Sequence, residues 1–128
     1  MVGHTGVFNA VKLSVEAMDI QLGRIIEAIK KTNGVMFVTA DHGNADQMYE
    51  TKGDKVLTEN GKKKVRTAHS LNKVPFIIYD PSYEQHKDYE LKLNEGLGIS
   101  SIPATTLNFL NIPVPADYDK TIATPAKK

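Results

Sequence analysis

The chain has 128 residues and 16 Lys+Arg against 15 Asp+Glu, a net charge of +1, so no broad electrostatic pull toward nucleic acid or a membrane surface is expected. Hydrophobic residues make up 41% and charged residues 24%, ordinary for a soluble globular chain of single-domain length with room for one core. The absence of cysteine excludes disulfides and thiolate metal sites and fits a cytoplasmic protein. No run approaches the roughly 18 apolar residues of a membrane span, and "MVGHTGVFNA" has neither the charged start nor the apolar stretch of a signal peptide.

Val11, Val15, Met18, Leu22, Ile25, Ile26 and Ile29 recur at helical spacing, with Lys12, Glu16, Asp19, Arg24, Glu27 and Lys30 between them. This predicts an amphipathic helix over about residues 9–31. Asn9 is the expected N-cap, Lys30 and Lys31 suit the negative end of the dipole, and Gly34 is placed to close the helix. "VMFVTA" (Val35 to Ala40) reads as a short buried strand. In "DKVLTENGKKKVRT", Asn60-Gly61 supplies the positive φ angles of a type I′ turn, which sets Glu59 opposite Lys62 and Val56 opposite Val65. "VPFIIYD" (Val74 to Asp80) is a second buried strand, with Pro75 tolerated near its start and Pro81 ending it. "YELKL" is a short edge strand. "SSIPATTLNFLNI" reads as a helix with Ser101 as N-cap, Pro103 in the first turn, and Ile102, Thr106, Phe109 and Leu110 facing inward. The tail "ATPAKK" is expected to fray. Apolar strands alternating with amphipathic helices indicate an α/β sandwich with a mainly parallel sheet. Two strong strands are few for a free-standing domain of that kind.

Asp41 and His42, in "VTADHGNAD", stand just beyond the first apolar strand, where ligand sites of open α/β sheets form. A carboxylate and a neutral imidazole suit Zn, Mn or Fe, and Gly43 lets the backbone turn so that neighbouring side chains converge. Taken singly, each feature has a plainer reading. Asp41 could be a turn residue, His4 an exposed terminal side chain, and His69 in "TAHS" a structural residue. His86 reads as solvated, Lys62, Lys63 and Lys64 as a solvated hairpin tip, and Met18, Met36 and Met48 as packing residues.

The segments "VGHTG", "TADHGNAD" and "TAHSLNKVPFIIYD", in this order and separated by a long helix and then a hairpin, resemble the C-terminal part of the cofactor-independent (2,3-bisphosphoglycerate-independent) phosphoglycerate mutases, of the alkaline phosphatase superfamily. The resemblance runs on through "ISSIPATTLNFLNIPVP". "DHG" alone would indicate only the wider superfamily; "ADHGNAD" followed by "TAHS" and "VPF" is far more specific. The resemblance implies a three-layer αβα sandwich with a mainly parallel sheet. Residues 1–128 would then be the C-terminal part of a metal-binding phosphatase domain. It further implies two divalent ions, usually manganese, and interconversion of 3- and 2-phosphoglycerate through a phosphoserine. Matched to the family motifs, His4 and His69 resemble ligands of one ion, and Asp41 and His42 ligands of the other. Two cations about 4 Å apart can hold a transferring phosphoryl group.

The chain departs from the family pattern in three places. The Asp that directly precedes "MVGHTG" in the family has no counterpart here. The nucleophilic serine, a further Asp ligand and the substrate-binding domain lie upstream in the family, and none of Ser14, Ser70, Ser82, Ser100 or Ser101 has the nucleophile's context. The hairpin between "DHGNAD" and "TAHS" is also longer than usual. By itself the chain is therefore expected to be inactive and to bind metal weakly or not at all. The alternatives are a fragment of another metal-dependent phosphomutase or phosphohydrolase, such as a phosphopentomutase, or a non-catalytic metal-binding module. The upstream gene sequence separates truncation from module.

Overall fold

The structure, a computed structural model, describes residues 1–83 and 89–127, so the segment carrying His86 lies outside the described residues. The chain divides into two compact units, Met1–Pro81 and Ser82–Lys128, where its length suggests one core. Val11, Met48, Ala104 and Ala123 are the buried apolar residues among those described.

The first unit opens with a 3₁₀ turn, Val2–Thr5, which Gly6 ends in the left-handed conformation at φ 68°. Helix α1 follows over Phe8–Thr32. Its N-cap is Val7, not Asn9, and no side chain caps it. The Thr5 hydroxyl instead accepts the Val7 N–H at 3.2 Å, so the chain turns into the helix before Asn9 could cap it. At the other end Asn33, not Gly34, takes the left-handed conformation, at φ 51°. Asparagine tolerates this region better than other non-glycine residues. The Gly34 N–H then donates to the Ile29 carbonyl at 3.1 Å, closing the last turn.

The apolar stripe of α1 is only partly covered. Val11 is buried and Leu22, Ile26 and Ile29 are half-buried, but Val15 (53%), Met18 (69%) and Ile25 (50%) are exposed. Of the methionines expected to pack, Met48 is buried, Met36 half-buried and Met18 open.

Strand β1 (Met36–Thr39) and the strand Phe76–Tyr79 form a two-stranded antiparallel ladder, Met36 opposite Tyr79 and Thr39 opposite Phe76. The expected mainly parallel sheet is not what the described residues form: each of their ladders is antiparallel. No helical crossover joins the two strands, so the chain returns in the opposite direction. With no further strand on this ladder its residues are half-buried or exposed rather than buried.

Between them lie the two-residue strands β2 (Thr51–Lys52), β3 (Lys55–Val56), β4 (Thr58–Glu59) and β5 (Lys62–Lys63), which precede β6 (Phe76–Tyr79). Asn60 and Gly61 have φ of 51° and 73°, and Glu59 faces Lys62, as the turn chemistry requires. Val56 does not face Val65, however: it faces Thr51, and Val65 faces Tyr49. Gly53, at φ 58°, makes an earlier hairpin and takes Val56 into it. The bases of the two hairpins close a ring of backbone bonds. The N–H of Leu57 donates to Glu50, that of Glu50 to Lys64, and that of Lys64 to Leu57, at 2.8, 2.9 and 2.8 Å. All residues from Thr51 to Val65 are exposed.

In the second unit, β7 (Tyr89–Leu93) pairs antiparallel with β8 (Ala123–Lys127), Leu93 opposite Ala123. The tail expected to fray thus forms a strand up to Lys127. Helix α2 (Ile102–Phe109) follows a 3₁₀ turn, Ile99–Ser101, with Pro103 in its first turn. Ser101 stands at the N-cap, but its backbone is helical and its buried hydroxyl caps nothing. The buried face of α2 is Ala104 and Thr105, while Thr106 and Leu110 of the expected inner face are exposed. The Thr105 hydroxyl fixes this rotation. It donates to the Ser101 carbonyl at 2.7 Å and accepts the N–H of Ile122, next to buried Ala123, at 2.9 Å. No described helix is long and apolar enough to cross a membrane.

Candidate metal centre

Three loops of the first unit meet at the C-terminal end of β1. The first is the N-terminal 3₁₀ turn with His4. The second is the turn after β1, with Asp41 and His42. The third leads into β6 and carries His69. The Thr39 hydroxyl donates to the Pro75 carbonyl at 2.8 Å, which ties the end of β1 to the start of β6.

The four residues expected from the sequence come together at this end. The rings of His42 and His69 are stacked, 3.5 Å between centroids, and those of His4 and His69 are tilted at 5.1 Å. His42 Nε2 and Asp41 Oδ2 are 3.5 Å apart. Donors in cis positions on an ion with bonds of about 2.1 Å lie about 3 Å apart, so this pair fits one ion after a small adjustment. The Nδ1 of His4 is 2.7 Å from the Thr67 carbonyl. That bond assigns the proton to Nδ1 and leaves the Nε2 lone pair free, the usual arrangement of a metal-binding histidine. His42 Nδ1 has the same relation to the Gly43 carbonyl at 3.2 Å. Among the described residues, no three His, Asp or Glu side chains converge on a single ion position. The donor set therefore offers pairs and not a complete cage. His4, Asp41 and His69 are exposed and His42 is half-buried.

The loops are held by Gly43, for a reason other than the expected backbone turn, and by groups that the sequence did not single out. Gly43 and Ser70 form an isolated antiparallel bridge, with the Ser70 N–H donating to the Gly43 carbonyl at 2.9 Å. A Cβ on Gly43 would lie 2.1 Å from Ser70 Oγ, so glycine is required by contact and not by backbone angle. A Cβ on Gly3 would likewise lie 1.7 Å from Oδ1 of Asn44, whose amide donates to the Ala68 carbonyl at 3.4 Å. Asp46 Oδ2 accepts from the Ser70 hydroxyl at 2.7 Å and from the Asn72 amide. These two donors, Asn72 foremost, hold the Asp46 carboxyl below the usual carboxylate range. Arg66 donates to Glu50 Oε2 at 3.2 Å and to the His69 carbonyl at 2.9 Å. The only sequence signal for this support is the placement of polar residues just past each histidine motif, in "GNAD" and "HSLN".

A sequence profile of the metalloenzyme superfamily matches residues 1–114. The chain belongs to that superfamily. The match contains all three loops of the candidate centre. Over 120 residues the chain is 40% identical to a 2,3-bisphosphoglycerate-independent phosphoglycerate mutase of Malacoplasma penetrans, covering 94% of this chain and 20% of that protein. It is 36% identical over 124 residues to phosphoglycerate mutase 1 of the same kind from Arabidopsis thaliana, covering 95% of this chain and 22% of the relative. Among solved structures it is similar to a Leishmania mexicana phosphoglycerate mutase determined at low cobalt concentration. That likeness has a TM-score of 0.82 and 34% identity, and covers 98% of this chain and 23% of the other. The chain thus spans about a fifth of the length of the relatives it matches.

Proposed function

We propose that the chain is the C-terminal part of the metal-binding domain of a cytoplasmic, cofactor-independent phosphoglycerate mutase. In the whole protein it would be completed into a three-layer αβα sandwich with a mainly parallel sheet. That protein would interconvert 3- and 2-phosphoglycerate through a phosphoserine. The serine, the remaining ligands and the phosphoglycerate contacts would come from polypeptide beyond these residues.

In this reading His4 and His69 hold one divalent ion, Asp41 and His42 a second, and manganese is the ion expected. When bound, such a pair of cations supplies the charge that offsets the transferring phosphoryl group. The chain's own contribution is orientation. The Thr67 carbonyl presents His4 through Nε2, and the Gly43–Ser70 contact brings the Asp41–His42 turn against the His69 loop. The observation that carries the reading is this pairing: two donor pairs lie within ring contact of each other. That is the remnant expected if two adjacent coordination spheres each keep two ligands.

The test is a chimera in which this chain replaces the matching segment of the Malacoplasma penetrans mutase. The expected result is Mn²⁺-dependent isomerisation in an enolase-coupled assay, abolished by His42→Ala. A chimera that folds and binds Mn²⁺ but does not isomerise phosphoglycerate would overturn the reading, and turnover of a phosphopentose would favour the phosphopentomutase alternative. The 128-residue chain alone should give no turnover.

A further inference from the structure

The Asp41–His42 turn and the His69 loop belong to distant parts of the sequence, yet their rings stack. Arg66 supports the His69 loop from its own side through the His69 carbonyl. Asp46 bridges the two loops through side chains. It follows Gly43 on the first loop, and its Oδ2 accepts from both Ser70 and Asn72 of the second. Ser70 is 5% exposed and directly follows His69, so fixing its hydroxyl fixes the backbone that carries that ring.

We propose that Asp46 is a positioning residue. Its carboxylate, by holding Ser70 and Asn72, clamps the Asp41–His42 turn against the His69 loop and so sets the spacing of His42 and His69. For metal binding the inference rests on the reading of those residues as ligands. The clamp itself does not.

Hydrogen-bond chemistry favours a carboxylate at this position. Two side-chain donors converge on Oδ2. An ionised carboxylate is a stronger acceptor than an asparagine amide, whose oxygen can still take the Oδ2 position and accept both donors. Asp46→Asn should therefore keep part of the clamp that Asp46→Ala removes. A residue that merely filled space would tolerate the asparagine.

The experiment uses the 128-residue chain with Asp46→Asn, Asp46→Ala, Asn72→Ala and, as a control in the exposed hairpin, Asp54→Asn. Metal-free NMR reads the nuclear Overhauser effect between the His42 and His69 rings, circular dichroism reads helix content, and calorimetry reads Mn²⁺ affinity. Asp46→Ala should lose the inter-ring effect with helix content unchanged and should weaken Mn²⁺ binding by about 10-fold or more, the usual scale for losing a group that orients a ligand, and Asp46→Asn should weaken both less. Asp54→Asn should change neither. An unchanged inter-ring effect in a folded Asp46→Ala protein overturns the proposal, and so does an Asp46→Asn protein that loses the effect as fully as Asp46→Ala, since an amide oxygen still accepts both donors. If Asp46→Ala does not fold, Asn72→Ala decides: a weakened inter-ring effect supports the clamp and an unchanged one overturns it. Were Mn²⁺ to bind none of these proteins, wild type included, the ring contact, which is read without metal, would still decide the clamp.

Discussion

The imidazole rings of His42 and His69 lie nearly parallel, with centroids 3.5 Å and planes 16° apart. Two loops that share no local sequence relation therefore present their nitrogens from adjoining positions, and His4 joins them from a third loop, 5.1 Å from His69. The neutral ring is the metal-binding form, so protons compete with the ion. With two donors available to each ion, the chain alone should bind Mn²⁺ weakly, more weakly still on acidification, and His42→Ala or His69→Ala should reduce binding further. Calorimetric titrations across the neutral to mildly acidic range check this. Tight binding, or binding indifferent to pH, would contradict it.

Gly43→Ala should damage the centre without touching a ligand. The new methyl would lie 2.1 Å from Ser70 Oγ and 2.8 Å from Asp46 Oδ1, and Ser70 is buried with little room to yield. The loops must separate, at a cost of about 1–3 kcal/mol, typical of overpacking. Urea melts should show a lower midpoint with the slope unchanged, and NMR should show the His42–His69 contact weakened. A midpoint equal to that of wild type would mean that the contact yields freely.

The Asp46 carboxyl titrates below its usual range because Asn72 and Ser70 donate to its ionised form. The sign follows from linkage. A carboxyl depressed in the folded state contributes stability that is present above its unfolded value, about 3.9, and is lost as pH falls through the lower folded value. The group is exposed, so screening keeps the contribution modest. The stability gap between wild type and Asp46→Asn should be level near neutrality and should shrink at acid pH, below about 4. Urea midpoints measured as a function of pH check this, and a gap that grows on acidification would reverse the sign.

The paired hairpins between Glu50 and Lys64 should be dispensable. Replacing residues 51–63 by Asn-Gly joins Glu50 to Lys64 across a bond already present, Glu50 N–H to the Lys64 carbonyl at 2.9 Å, and leaves the Tyr49–Val65 bridge in place. Every residue removed is exposed. The change in stability should stay within about 1 kcal/mol, since closure entropy varies slowly with loop length. A loss of several kcal/mol in denaturant melts would show that the hairpins are packed.

Much of this fold is legible locally. The period of α1, the apolar runs of β1 and β6, the "YELKL" strand and the Asn60-Gly61 turn each follow from a few neighbouring residues. What escapes a local reading depends on partners. The Val56–Val65 pairing fails because Gly53-Asp54 makes a competing hairpin whose signal is just as short. Strand β8 carries no alternating pattern in "ATPAK" and exists because β7 supplies its backbone bonds. The antiparallel sense of β1 and β6 is a property of the path between them. The same division holds at the candidate centre. Its histidines stand in recognisable motifs, but the bonds from Asp46 to Ser70 and Asn72 span 24 and 26 residues and leave no periodic trace.

The open face of α1 leads to the last prediction. Val15, Met18 and Ile25 belong to the stripe that should pack against a sheet, yet all are at least half exposed. With Leu22 and Val38 they line an apolar groove of about 650 Å³. The two-stranded β1–β6 ladder is too narrow to cover a 25-residue helix. Contiguous apolar surface of this kind drives association in water. The isolated chain should therefore self-associate as its concentration rises and should bind a hydrophobic dye. Met18→Lys with Ile25→Lys should suppress both. These positions are exposed, and lysine is a good helix former, so helix content should be preserved. Sedimentation velocity over a concentration series, with circular dichroism on the same samples, checks the prediction. A wild-type chain that stays monomeric and dark to the dye would show that this face is covered in solution.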